Sequence, residues 1–140
     1  MNSFVWPVRV YYEDTDAGGI VYHAQYLCFL ERCRTEWLRS LGVEQDQLRQ
    51  QYNALFAIRH IDIAYLSPAK FNDELEVTSA VSQLGRVSFD FEQHIYRRDA
   101  ELGKKVELCR ATVNVVCLKA DSFKPCAIPE IITSEILRDH

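Results

Sequence analysis

The chain contains no apolar run approaching the roughly 18 residues that a membrane-spanning helix needs. Its opening residues, Met1-Asn2-Ser3-Phe4-Val5-Trp6-Pro7, carry neither a basic start nor an apolar signal core. These absences argue against membrane insertion and secretion, and a cytoplasmic protein is expected. No internal repeat, low-complexity tract or Pro/Gly/Ser-rich linker divides the 140 residues, so a single domain over 1–140 is expected. That length buries about two-thirds of the surface an unfolded chain exposes. Histidine is scarce, at four, and none stands near a cysteine at metal-ligand spacing, so no metal is expected. The five cysteines, Cys28, Cys33, Cys109, Cys117 and Cys126, are odd in number and show no C-x-x-C spacing. Buried thiols are the expectation, rather than disulfides or a zinc site. The net charge of −4 offers nucleic acid or an anionic membrane no general attraction. An anionic ligand such as coenzyme A would need a local basic patch; Arg86, Arg97-Arg98 and Lys104-Lys105 are candidates, with nothing to choose between them.

What is present is a clear change of period. Val5 to Tyr12 reads as a first strand. Tyr26, Phe29, Leu30, Cys33, Trp37, Leu38 and Leu41 then recur at three- and four-residue steps, which gives a helix one apolar face. Gly42 stands where such a helix ends. Glu44 to Tyr52 is polar and Gln-rich, and reads as a short exposed helix or turn. From Leu55 the period drops to two. Strands are expected over Leu55 to Tyr65, from Leu75 through Ser79, from Val87 to Gln93, and from Val106 to Leu118. Ser67-Pro68, Asn72-Asp73, Gly85-Arg86 and the stretch Asp99 to Lys105 are the breaks between them. The tail from Pro129 to His140 has the spacing of a short amphipathic helix. Short connections favour antiparallel neighbours. The expected fold is therefore α+β, with an antiparallel five-stranded sheet wrapped around one long central helix. One helix covers one sheet face, so the other face and the edges point to a homo-oligomer.

Between the first strand and the helix lies Asp14-Thr15-Asp16-Ala17-Gly18-Gly19-Ile20-Val21-Tyr22-His23. It sets a carboxylate at a Gly-Gly turn just upstream of a helix N-terminus. Such an end exposes unpaired backbone N–H groups and a partial positive charge. Donors of this kind suit a carbonyl that is becoming an oxyanion, so the segment suggests acyl chemistry. Asp16 also reads as an Asx-turn or helix-cap residue. Asp14, two residues earlier, competes with it for any catalytic part. Gly18 and Gly19 answer a backbone need, a tight turn or a close approach. His60 and His94, in strand patterns, show no visible partner.

Arg9-Val10, Thr15-Asp16, Gly19-Ile20-Val21, His23 and Tyr26 together resemble the signature of the 4-hydroxybenzoyl-CoA thioesterase family of hotdog-fold proteins. Glu31-Arg32, Arg34-Thr35-Glu36, Tyr65-Leu66-Ser67-Pro68-Ala69 and Asn72-Asp73 extend the likeness to the branch associated with the Tol–Pal gene cluster of Gram-negative bacteria. The resemblance implies hydrolysis of acyl-CoA thioesters without a metal or organic cofactor. It also implies a homodimer or homotetramer whose active sites lie between subunits. By position, it implies a catalytic carboxylate at Asp16, an oxyanion-binding backbone N–H at His23, and parts for the His23 side chain and for Tyr12. Asp16 as nucleophile or as general base stays open. Acyl carrier protein stays open as an alternative acyl donor, as does a link to envelope lipid metabolism. A non-catalytic acyl-thioester-binding protein on the same fold is the alternative. A dehydratase would be expected to show a His-Phe-Pro-Gly-type segment, which is absent.

Overall fold

The computed structural model describes residues 3–138. Its architecture is α+β, with a five-stranded antiparallel sheet and three α-helices. β1 (Phe4–Arg9) leads through a short 3-10 turn (Tyr12–Asp14) to α1 (Gln25–Ser40) and α2 (Gln45–Tyr52). β2 (Ala54–Tyr65), β3 (Glu74–Leu84), β4 (Ser88–Asp99) and β5 (Lys104–Lys119) follow, and α3 (Glu130–Arg138) closes the described chain. Residues 139 and 140 of the expected tail helix lie outside the described residues.

The helix α1 forms where the apolar stripe predicted it. Tyr26, Phe29, Leu30, Cys33, Trp37 and Leu38 are all buried. Its end is also local chemistry: Gly42 takes a φ of +84°, which costs glycine nothing, and its N–H returns to the Arg39 carbonyl. α2 buries only Leu48 and stops at Asn53, which adopts a left-handed φ of 50°. α2 and α3 form where a short helix or turn and a tail helix were expected, and α1, expected as one long central helix, is 16 residues long.

The sheet order is β1-β3-β4-β5-β2. This corrects the reading of the last four strands as neighbours in succession. β2 does not pair with β3; it runs antiparallel to β5 from Ala54 opposite Lys119 to Tyr65 opposite Cys109. The reason lies at the start of β3. The Val10 N–H donates to the Asp73 carbonyl, and the Asn72 N–H donates to the Val10 carbonyl. The chain leaving β1 thus already occupies the edge of β3 that β2 would need. β2 becomes an outer edge instead.

Alternation decides which residues meet the helix. In β4, Phe89, Phe91, Gln93 and Ile95 are buried, and in β5 Ala111, Val113, Val115 and Cys117. Trp37 of α1 packs edge-on against Phe91, with ring centroids 4.9 Å apart. Gln93 is a polar residue in this core, and its groups are satisfied. Its Nε2 donates to the Leu30 carbonyl at 3.1 Å and to Ser79 Oγ at 2.7 Å, while its Oε1 accepts from Arg34 at 2.9 Å. Cys33, Cys109 and Cys117 are buried as expected, but Cys28 is exposed.

The opposite sheet face carries charge. Glu76 is only 7% exposed, yet it accepts from Arg98 Nε at 2.6 Å and meets Lys105 Nζ at 2.7 Å. His94, which showed no partner in the sequence, has one in space: its Nδ1 lies 2.6 Å from Glu107 Oε2. Lys105 and Arg98 hold the Glu76 carboxyl below its ordinary value of 4.5. Stability from this group is therefore present at neutral pH and is lost as pH falls through the lowered value. Urea unfolding of Glu76→Gln should show a weaker loss of stability than the wild type between about pH 5 and pH 3.

Candidate active site

The loop between β1 and α1 is held by backbone bonds before any side chain acts. The Asp16 N–H donates to the Ile20 carbonyl at 2.8 Å, and a single antiparallel bridge joins Thr15 to Val21. The Val21 N–H reaches the Ala69 carbonyl at 2.8 Å, and Ile20 bridges Lys70. The loop is thus stitched to the segment that follows β2. Gly19 turns it with a φ of +83°, a region that only glycine enters freely. At Gly18 a Cβ would stand 3.2 Å from Asp16 Oδ1, so the missing side chain leaves that carboxylate its place.

The two acids of the loop have different surroundings. Asp14 is 4% exposed and engaged on both oxygens. Its Oδ2 accepts the Tyr11 N–H, and its Oδ1 accepts Gln25 Nε2, each at 2.8 Å. Its backbone carbonyl also accepts the Tyr22 N–H at 2.9 Å. Asp14 therefore binds the turn after β1 to the first residue of α1. Asp16 is exposed, and its Oδ1 accepts the Gly18 N–H at 2.8 Å, which is the Asx-turn geometry. Among the described residues it forms no ion pair.

The start of α1 is bare. Its N-cap is Ala24, no side chain caps it, and its first turn holds no acidic residue. The Gln25 N–H bonds back to Tyr22, but the His23 N–H has no acceptor among the described residues. An uncapped end keeps its partial positive charge and its free donors. The structure thus brings an exposed carboxylate and unused helix-start amides into one stitched loop. The His23 side chain is exposed and tilts against the Tyr22 ring, with centroids 4.5 Å apart.

Tyr12 is placed differently from the expectation. It opens the 3-10 turn rather than continuing β1, because the strand stops at Arg9. It is 75% exposed and stacks on Phe71 at 3.9 Å between centroids. Together with Arg9, Tyr11 and Asn72 this pair lines an open hollow of about 430 Å³. A second cavity, of about 280 Å³, lies between α1 and the sheet, lined by Arg34, Trp37, Phe56, Ile58, Phe91 and Val115 among others. Asp16 and His23 do not line it.

Two tyrosines next to the loop were legible only as core or motif positions. Tyr26 is buried and its hydroxyl oxygen accepts the Ala69 N–H at 3.0 Å. Burial raises its pKa, with smaller contributions from Cys109, Tyr65 and, last, Asp16, so it stays a neutral phenol. Tyr65 stands edge-on to Tyr26 at 5.6 Å and donates its hydroxyl proton to the His23 carbonyl at 3.0 Å. No sequence signal tied Tyr65 to His23, because the contact spans 42 positions.

Thiol chemistry is removed from consideration at three positions. Burial pushes the Cys33 thiol up to about 11 and those of Cys109 and Cys117 up to about 12. At neutral pH these groups are not thiolates and not nucleophiles. Of the basic candidates for an anionic ligand, Arg98 and Lys105 are already bound to Glu76, and Arg97 donates to the Pro68 carbonyl at 2.9 Å.

Removing the Asp14 carboxylate strands the Tyr11 N–H and the Gln25 amide. Asp14→Ala should therefore lower the unfolding free energy by about 1–3 kcal/mol, measured by urea denaturation.

Residues 10–136 match the model of the thioesterase-like superfamily. The chain is 44% identical over 129 residues to the acyl-CoA thioesterase YbgC of Haemophilus influenzae, covering 92% of this chain and 90% of that protein. Among solved structures, a probable thioesterase from Bartonella henselae superposes with a TM-score of 0.82 at 32% identity, covering 91% of this chain and 100% of that one. A mutant 4-hydroxybenzoyl-CoA thioesterase complexed with 4-hydroxybenzoyl-CoA superposes with a TM-score of 0.88 at 19% identity, covering 96% and 98%, a likeness of fold. The chain belongs to the thioesterase-like superfamily of hotdog-fold proteins.

Proposed function

We propose that this protein hydrolyses acyl-CoA thioesters, turning an acyl-CoA and water into a carboxylic acid and CoA thiol. The observation that carries the proposal is the exposed Asp16 carboxylate on a loop stitched beside an uncapped helix start. The superfamily membership and the thioesterase relatives support it.

In this reading the thioester carbonyl oxygen rests on the His23 N–H. Charge that develops on it is met by a donor fixed in advance, so no reorganisation is needed during the reaction. Asp16 then acts in one of two ways. As nucleophile it attacks the carbonyl carbon, the C–S bond breaks, CoA leaves as thiolate and takes up a proton, and water cleaves the mixed anhydride. As general base it removes a proton from water while that water attacks, and the same C–S bond breaks. Neither route calls for a metal or an organic cofactor. The His23 imidazole orients water or the acyl group, and Tyr12, which stacks on Phe71, is the third residue of the proposed set.

One chain leaves this acid open to solvent, so the proposal includes a second copy. β2 is a 12-residue edge strand with Ile58 and Tyr65 exposed. Pairing β2 with its symmetry mate removes that edge and walls the loop, and a second pairing gives a dimer of dimers. The sheet then curls round α1 as the hotdog fold requires. Acyl-CoA is the donor proposed, with acyl carrier protein as a further one. The resemblance to the Tol–Pal branch supports acyl groups of envelope lipid metabolism as the substrates proposed.

The test is turnover of a panel of acyl-CoAs, short, aromatic and long, by wild type and Asp16→Asn, with thiol release as the readout. Because the residue acts in the chemical step, kcat should fall by about a thousandfold or more while the fold is kept. Sedimentation of the same wild-type sample should show a dimer or tetramer. Equal rates for the two proteins would refute the assignment, and full activity from a monomer would refute the shared site.

A further inference from the structure

The loop that carries Asp16 and His23 is attached to the rest of the molecule at a few places only. Upstream of the helix, the Val21 N–H is held by the Ala69 carbonyl and the Tyr22 N–H by the Asp14 carbonyl. At the helix start itself, the His23 carbonyl is held by one side chain, the hydroxyl of Tyr65 at 3.0 Å. Tyr65 is the last residue of β2, on a different part of the sheet from β1. The residue is 48% exposed, so core packing alone does not account for its position. What fixes the ring is Tyr26, which it meets edge-on and whose own hydroxyl is pinned by Ala69.

We propose that Tyr65 is a positioning residue for thioester hydrolysis: its hydroxyl holds the His23 carbonyl, and so sets the direction in which the turn presents its free amides. The proposal rests on the thioesterase reading above and adds a residue to it. The geometry works through two adjacent peptide units. The carbonyl that accepts the Tyr65 proton belongs to the peptide whose N–H is Ala24, and the preceding peptide supplies the His23 N–H. A hydrogen bond on that carbonyl polarises its own amide and removes the freedom of the turn to rock. The polarisation falls on the Ala24 N–H, and the restraint holds the His23 N–H, so a donor that must meet an oxyanion within hydrogen-bond distance is kept in place. An ordinary phenol keeps its proton across the neutral range, and partial desolvation at Tyr65 shifts its pKa further upward, so it remains a donor.

Tyr65→Phe keeps the ring and its contact with Tyr26, and removes only the donor. Three readouts separate positioning from support. The first is kinetic: kcat should fall tenfold or more with KM unchanged. The second is binding of a non-hydrolysable thioether analogue of acyl-CoA, which should stay within twofold of wild type, alongside an unaltered thermal midpoint. The third is spectroscopic. In an Asp16→Asn background, the carbonyl stretch of a bound, isotope-labelled acyl-CoA should lie at lower frequency than in water, and adding Tyr65→Phe should return part of that shift. A kcat within twofold of wild type, or a loss that follows the thermal midpoint and the analogue's affinity, would overturn the proposal. So would an unchanged carbonyl stretch in the double variant. Failure of the underlying reading looks different: Asp16→Asn would then turn over at the wild-type rate, whatever Tyr65→Phe does.

Discussion

The carboxylate of Asp14 joins two pieces of chain that would otherwise move independently, the turn leaving β1 and the first residue of α1. Both of its oxygens are used, and it is almost wholly buried. A charged acceptor in that position is stronger than a neutral one, and leaving its partners unpaired would be costly. The rest of the site follows from this anchor. With Tyr11 and Gln25 fixed, the intervening loop has little choice but to fold back on itself, through the Asp16–Ile20 and Thr15–Val21 contacts, and to lie along the segment after β2.

That arrangement gives two neighbouring acids opposite tasks. Asp14 is spent on structure, and Asp16 is left in the open on a loop the former holds still. The helix start next to them is left without a cap, although a Ser, Thr or Asp there would commonly add about 1 kcal/mol of stability. The protein forgoes that gain at the place where the proposed hydrolysis would use free amides, and the apolar stripe of α1 packed on the sheet supplies stability instead. The same division is seen among polar groups elsewhere. Gln93 is fully satisfied inside the core, Glu76 is held by two cations on the outer face, and the buried thiols are too basic to react.

Local chemistry was written plainly in the sequence, and long-range pairing was not. The stripe from Tyr26 to Leu38 and the glycine after it fixed α1 closely, because periodicity and a left-handed stop are properties of consecutive residues. The loop was legible for the same reason, down to the glycines beside Asp16. The edge position of β2 was missed because a short connection says that the chain turns, not which strand already holds the neighbouring edge. Tyr12 was carried too far along β1, since the apolar pattern runs past Arg9 while the Asp14 carboxylate bends the backbone into a 3-10 turn. The distinction between Asp14 and Asp16 depended on Gln25, whose side chain reads simply as a polar residue at a helix start. The Tyr65–His23 and His94–Glu107 contacts join separate elements and left no trace in spacing.

In the proposed hydrolysis, the helix-start amide at His23 receives the carbonyl oxygen of the thioester that Asp16 attacks or hydrates. The most direct measurement is a crystal structure of Asp16→Asn with a bound acyl-CoA in the assembled protein. The thioester oxygen should lie roughly 2.7–3.1 Å from the His23 nitrogen, with the side chain at position 16 facing the carbonyl carbon. A carbonyl oxygen directed to solvent or to another donor, with His23 untouched, would rule out this oxyanion site.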